Sequence, residues 1–167
     1  KNHTANIIGN QMIIYGGVTE DNQYLGDVFT FNLDTLKFSS VFINDDTPGQ
    51  QIAYHAACIV APKDIIYSVK NHLYTFENSS KKKFYYPAGM YVFGGKINDF
   101  TTASNDIYLL TIGRKPSEWH KVTVSTSGKA PCARYFCSLN YYEEGNILIL
   151  HGGKRIVKED EDLVLND

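Results

Sequence analysis

The sequence has no long apolar run. Its longest, such as Ile147 to Leu150, is strand-sized, well short of the roughly 18 residues of a membrane helix, and no membrane partner is expected. It has no excess of positive charge either. Its 16 Lys and Arg face 18 Asp and Glu, for a net −2, so the basic stripe of a nucleic-acid surface is missing. Cysteine is scarce and odd in number: Cys58, Cys132 and Cys137 cannot make a paired disulfide framework, which points to a reducing, cytoplasmic setting. No Cys or His pair has zinc spacing, and neither Gly-x-Gly-x-x-Gly nor the P-loop pattern occurs. No metal and no cofactor are therefore expected. No targeting segment is visible, and the chain opens on Lys1 rather than Met, as an internal piece of a longer protein would.

What is present favours β structure. Apolar residues are 43%, glycine numbers 13, and tyrosine and phenylalanine number 12 and 9, a mixture of turn formers and strand-favouring rings.

A repeat sets the organisation. Three diglycines, Gly16-Gly17, Gly94-Gly95 and Gly152-Gly153, each close a short apolar run: Met12–Tyr15, Met90–Phe93 and Ile147–His151. Such runs bounded by glycine read as buried strands. Downstream comes a second signal, Gly26-Asp27-Val28-Phe29 in the first unit and Asn105-Asp106-Ile107-Tyr108 in the second, with Asn166-Asp167 starting a third. Upstream lies His3-Thr4-Ala5, echoed by His55-Ala56-Ala57 and by Pro131 to Leu139, where Cys137 takes the histidine slot. A polar turn followed by an aromatic ends each unit, at Phe38 and at Trp119.

One unit is thus four short strands, A to D. Unit 1 spans about 3–45 and unit 2 about 55–125. Unit 3 begins near 132 and is incomplete. The 52-residue step from His3 to His55 is extended in unit 2 by one insertion between strands A and B, about 62–88. Its two apolar clusters, around Ile65–Tyr67 and Leu73–Phe76, predict an extended hairpin.

These residues resemble the kelch-repeat family of β-propellers. The diglycines, the Asn-Asp-Ile-Tyr-Leu-Leu strand at 105–110, the Trp119 slot and the Pro-x-x-Arg-Tyr-x-x-Ser entry at 131–138 carry the likeness over nearly the whole chain except the insertion. Departures are Phe38 where tryptophan is usual, Cys137 for histidine, and Ala53-Tyr54 for Tyr-Gly before His55. The resemblance implies an all-β, kelch-type propeller, about two and a half four-stranded blades of a larger ring. It assigns a structural role to His3, His55, Asp27, Asp106, Tyr108, Trp119 and the six glycines. The copper-oxidase class of such propellers, similar to galactose oxidase, has no residue-by-residue counterpart here.

Antiparallel alternation sends the B–C and D–A loops to one face, with a net charge of −3, and the A–B insertion, at +3, to the other. Tyr24, Asp45, Asp46, Phe100 and the pair Arg134-Tyr135 are candidate partner contacts on the first face. Lys81, Lys82, Lys83 and Tyr85 are candidates at the insertion tip, where a three-lysine run reads as solvated rather than as a nucleic-acid contact. The acidic run Glu159–Asp162 reads as an exposed loop.

The reading that follows is a non-catalytic module or scaffold that binds protein partners through its loops. The remaining blades would come from the same or another chain. The alternatives are a regulatory propeller fused to a phosphatase- or methyltransferase-type domain, and a structural component of a cytoskeletal or ciliary assembly.

Overall fold

The computed structural model of the chain describes residues 1–43, 51–61, 65–67, 74–76, 88–97, 101–111, 117–122, 129–158 and 161–167. No helix occurs among them. The first sheet grows from the sequence with little ambiguity. Strands β1 (Thr4–Ile8) and β2 (Gln11–Tyr15) are joined at Gly9-Asn10, where Gly9 takes a φ of 58°. Strands β3 (Val28–Asn32) and β4 (Lys37–Ser40) complete an antiparallel sheet in the order β1-β2-β3-β4. The β3–β4 turn is held by Asn32, whose side-chain oxygen accepts from the backbone N–H groups of Asp34 and Thr35 at 3.0 and 2.7 Å.

The second sheet repeats the first with an interruption. The short β5 (Ile52–Ala53) leads into β6 (Ala56–Val60). A hairpin of β7 (Ile65–Tyr67) and β8 (Tyr74–Phe76) then intervenes. It stands where the extended hairpin is expected; its supposed tip, Asn78 to Lys83, lies outside the described residues. Strand β9 (Gly89–Phe93) returns, and β10 (Lys96–Ile97) pairs with β5. With β11 (Ile107–Leu110) and β12 (Trp119–Lys121) the sheet runs β12-β11-β9-β6. The third begins as β13 (Ser138–Tyr142) paired with β14 (Ile147–His151).

The segment after the third diglycine differs from expectation. Rather than a plain loop it forms a second hairpin, β15 (Lys154–Lys158) with β16 (Glu161–Val164). The β-branched and apolar residues Ile156, Val157, Leu163 and Val164 supply strand propensity there despite the acids between them. Glu161 and Asp162 of the acidic run belong to β16.

The sheets stack face to face, and period-two alternation decides what lies between them. One face of the first sheet sends Ile8, Ile13, Tyr15 and Val28 against Met90, Val92, Leu110 and Trp119 of the second. The opposite face of the second sheet sends Cys58, Val60, Tyr91 and Phe93 against Leu139, with Tyr141, Leu148 and Leu150 packed alongside. The second sheet is covered on both sides, and all five residues of β9 are buried. At roughly 25 cal/mol per Å² of apolar area removed from water, this doubly covered strand is where burial stabilises most.

Candidate interaction surface

Before each strand A lies a short lead-in segment, and the three lead-ins share one backbone shape. Asn2, Tyr54 and Phe136 occupy the same position and all take positive φ, 62°, 61° and 56°. Left-handed backbone is costly for residues with a Cβ, which is why the related pattern places glycine at this slot. Here two aromatics occupy it, held by a ladder between units. The Tyr54 N–H donates to the Asn2 carbonyl at 3.1 Å and the Phe136 N–H to the Tyr54 carbonyl at 2.9 Å.

The diglycines explain the close fit of lead-in to strand end. A Cβ on Gly16 or Gly94 would sit 2.4 Å from the Ile52 carbonyl or 2.5 Å from the Arg134 carbonyl of the next unit. A Cβ on Gly95 or Gly153 would sit 2.8 or 2.9 Å from the Cβ of its own unit's His55 or Cys137. The first glycine therefore admits the neighbouring unit, and the second admits the histidine-slot residue.

The expected signature residues lie at these junctions. His55 is buried; its Nε2 is 2.8 Å from the Thr4 hydroxyl and its ring meets Tyr15 at a tilt, 5.1 Å between centroids. Burial, with a smaller push from His3, lowers its pKa to about 3, so the ring is neutral. His3, in the equivalent slot, is exposed. The carbonyls of Asp27, Asp106 and Asp167 accept from the first glycine of their units at 3.3, 3.4 and 3.0 Å. The Asp106 side chain also takes the Lys121 ammonium at 2.9 Å and the Tyr108 hydroxyl at 3.3 Å. Trp119 is buried and packs 4.7 Å from Tyr15, next to the diglycine of the preceding unit. Cys58 is buried, and desolvation pushes its thiol up to about 12. All three cysteines are free thiols.

The proposed contact residues fall into three groups. Asp45, Asp46, Phe100, Lys81, Lys82, Lys83 and Tyr85 lie outside the described residues. Tyr24 is buried beside Val18 and Ala53. Arg134 and Tyr135 are buried, at 2% and 3% exposure, and their side chains hydrogen-bond within the third unit. The Arg134 guanidinium grips both Asp167 carboxylate oxygens at 2.6 and 2.9 Å and donates to the Gly152 and Cys132 carbonyls. This bidentate pairing raises the Arg134 pKa and lowers that of Asp167. The Tyr135 hydroxyl donates to Asp162, whose carboxylate lies 3.9 Å from the Lys154 ammonium. Burial, then this carboxylate, holds the phenol well above its usual pKa.

Beside that buried pair lies an exposed group that sequence reasoning missed. Phe136 is 55% exposed. Its ring meets Tyr54 edge-on at 4.9 Å and Tyr135 at 5.3 Å. The Lys96 ammonium lies 4.3 Å above the Tyr135 ring. Three backbone segments from two units thus gather Phe136, Tyr54 and Tyr135, with a cation over the Tyr135 ring. The available signal was the loss of glycine from the lead-in at Tyr54.

Residues 1–41 match the family described as the Kelch motif. The chain is also similar to Tip elongation aberrant protein 1 of Schizosaccharomyces pombe (strain 972 / ATCC 24843), 25% identical over 159 residues. The match covers 95% of this chain and 11% of that relative, so the chain spans about a tenth of the length of the curated protein it matches. The matched motif covers the first sheet, and the same strand order is repeated in the second.

Proposed function

We propose that this chain is a non-catalytic protein-binding module whose contact surface centres on Phe136, Tyr54 and Lys96. The observation that carries this reading is the 55% exposure of a phenylalanine at a strained left-handed position, braced by two tyrosines on a rigid pair of sheets. Aromatics presented on loops over a fixed scaffold make interface anchors. Kelch repeats in general serve as protein-interaction modules, and the family match supports the same use here. A scaffold role in cell-tip growth agrees with the name of the fission-yeast relative. That name supports reading the protein on the cytoskeletal side of the alternatives. Among the described residues no helix is long and apolar enough to cross a membrane.

The test is affinity capture from cells with the full-length protein and with a Tyr54→Ser, Phe136→Ser double variant. Loss of discrete partners from the variant, with its thermal midpoint kept within a few degrees, supports the reading. An unchanged set of captured proteins sinks it.

A further inference from the structure

The residue that follows each diglycine holds one position in the three units: Val18, Lys96 and Lys154. Their side chains meet different company. Val18 is buried against Tyr24 and Ala53. The Lys154 ammonium lies 3.9 Å from the Asp162 carboxylate. The Lys96 ammonium lies 4.3 Å above the Tyr135 ring, and among the described residues no carboxylate pairs with it. The fold does not demand a cation here, since valine serves in the first unit. An ammonium has three N–H donors and the ring covers one side of it, so donors remain for an acceptor that a partner brings.

Lys96 and Phe136 flank the same ring. Lys96 comes from the second unit and Phe136 from the third, at 4.3 and 5.3 Å from the Tyr135 centroid. Tyr135 itself is buried, and its hydroxyl is held by Asp162. The ring between the cation and the exposed phenylalanine is therefore fixed, and it sets their spacing. Both are within reach of two side chains on one face of an extended segment, where residues i and i+2 stand about 7 Å apart.

The surrounding loops have the opposite sign. The B–C and D–A loops sum to −3, and Glu20, Asp21 and Glu161 are exposed on them. Salt screens exposed charges beyond about 8 Å, so the nearest cation governs what docks on the rings while the acids act on the flanks. Complementarity to this pattern is specific: negative at one point, apolar beside it, neutral or basic around.

We infer that the occupant of this cluster is an extended protein segment with one carboxylate two residues from an apolar side chain, in an otherwise neutral or basic stretch. The apolar side chain packs on Phe136 and Tyr54. The carboxylate accepts from the Lys96 ammonium, and the acidic loops disfavour a run of acids. The inference rests on the protein-binding reading above and adds the chemistry of the partner to it.

The test is selection of random phage-displayed peptides on the full-length protein. The enriched peptide is then synthesised with its carboxylate and with the corresponding amide. Enriched sequences should carry an acidic residue two places from an apolar one. The amide should bind about fivefold more weakly, as for one exposed ion pair. Lys96→Gln should erase that preference by weakening the carboxylate form alone, with the melting curve close to the parent's. Phe136→Ser should weaken both forms about tenfold, as for an aromatic anchor. The inference is overturned if no peptide is enriched, or if the enriched peptides lack an acid or carry runs of acids. It is equally overturned if Lys96→Gln keeps the carboxylate preference. The two readings fail separately. Binding that Phe136→Ser weakens and Lys96→Gln leaves unaltered removes the partner's chemistry and keeps the surface. Binding that neither substitution changes removes both.

Discussion

Phe38 and Trp119 hold the same place in two successive sheets and meet opposite fates. Phe38 pairs with Phe31 across β3 and β4, as Trp119 pairs with Leu110 across β11 and β12. Yet Trp119 is 4% exposed and Phe38 66%. The difference comes from the neighbour and not from the residue. Trp119 lies against Tyr15 of the preceding sheet, whereas Phe38, Phe29 and Ile7 face outward with no sheet over them among the described residues. A blade gains little from its own aromatic slot until another blade covers it, so stability in a repeat fold resides largely in the interfaces.

The largest break in the comparison should come from Trp119→Ala. Truncating a buried large aromatic costs about 3–5 kcal/mol through lost burial and the cavity left behind. Denaturant titration should show a midpoint loss of that size. A cost below about 1 kcal/mol would mean that the Tyr15–Trp119 contact does not hold the sheets together.

Next comes the third unit, where an ion pair does part of what rings do in the first joint. Arg134→Met keeps the volume of the side chain but strands the Gly152 carbonyl inside the unit. The expected cost is about 2–3 kcal/mol, the range for leaving buried hydrogen-bonding groups unmet. Asp167→Asn should cost less, because the Asp167 side chain is largely solvated. If the two substitutions cost the same, the guanidinium matters only as the partner of Asp167.

The first joint should also respond to acid through His55. Its folded pKa is depressed to about 3 from an ordinary 6.5, so the unfolded chain takes up a proton first. Its contribution is complete above pH 6.5 and is lost as pH falls from there toward 3. At pH 5 the loss should be about 2 kcal/mol, from the 1.36 kcal/mol carried by each pH unit between the two values. His55→Gln should flatten this part of the stability profile even though it lowers stability at neutral pH. An unaltered slope between pH 6.5 and 5 in that variant would remove His55 as the cause.

Much of the fold was legible because the repeat constrains the same position several times. Diglycines after apolar runs located β2, β9 and β14, and the Asn-Asp signal located β11. Period-two alternation could not tell which face of each strand meets another sheet, because both faces are apolar in a stacked array. The contact surface was less legible. Arg134 and Tyr135 read as a partner-binding pair or, equally, as a packing contact between blades, and the sequence could not decide because the Asp167 carboxylate that Arg134 grips comes from 33 residues away. Phe136, the exposed member, was given no role from the sequence. It sits on a left-handed backbone that period-two reading cannot anticipate.

The smallest expected effect sharpens the comparison most. Phe38→Ala should change the stability of this chain by no more than about 0.5 kcal/mol, as for an exposed surface position. The ring keeps one neighbour, Phe31, at 4.6 Å, and a lone aromatic pair that stays wet retains only part of its usual worth. Phe38→Trp restores the residue of the second sheet, and in the free chain it should be equally silent. Should Phe38→Ala instead cost as much as Trp119→Ala, the outer face of the first sheet must be covered in solution. Sedimentation at two chain concentrations then separates the sources. A cost that falls on dilution identifies a second copy as the cover, and one that does not places it within the same chain.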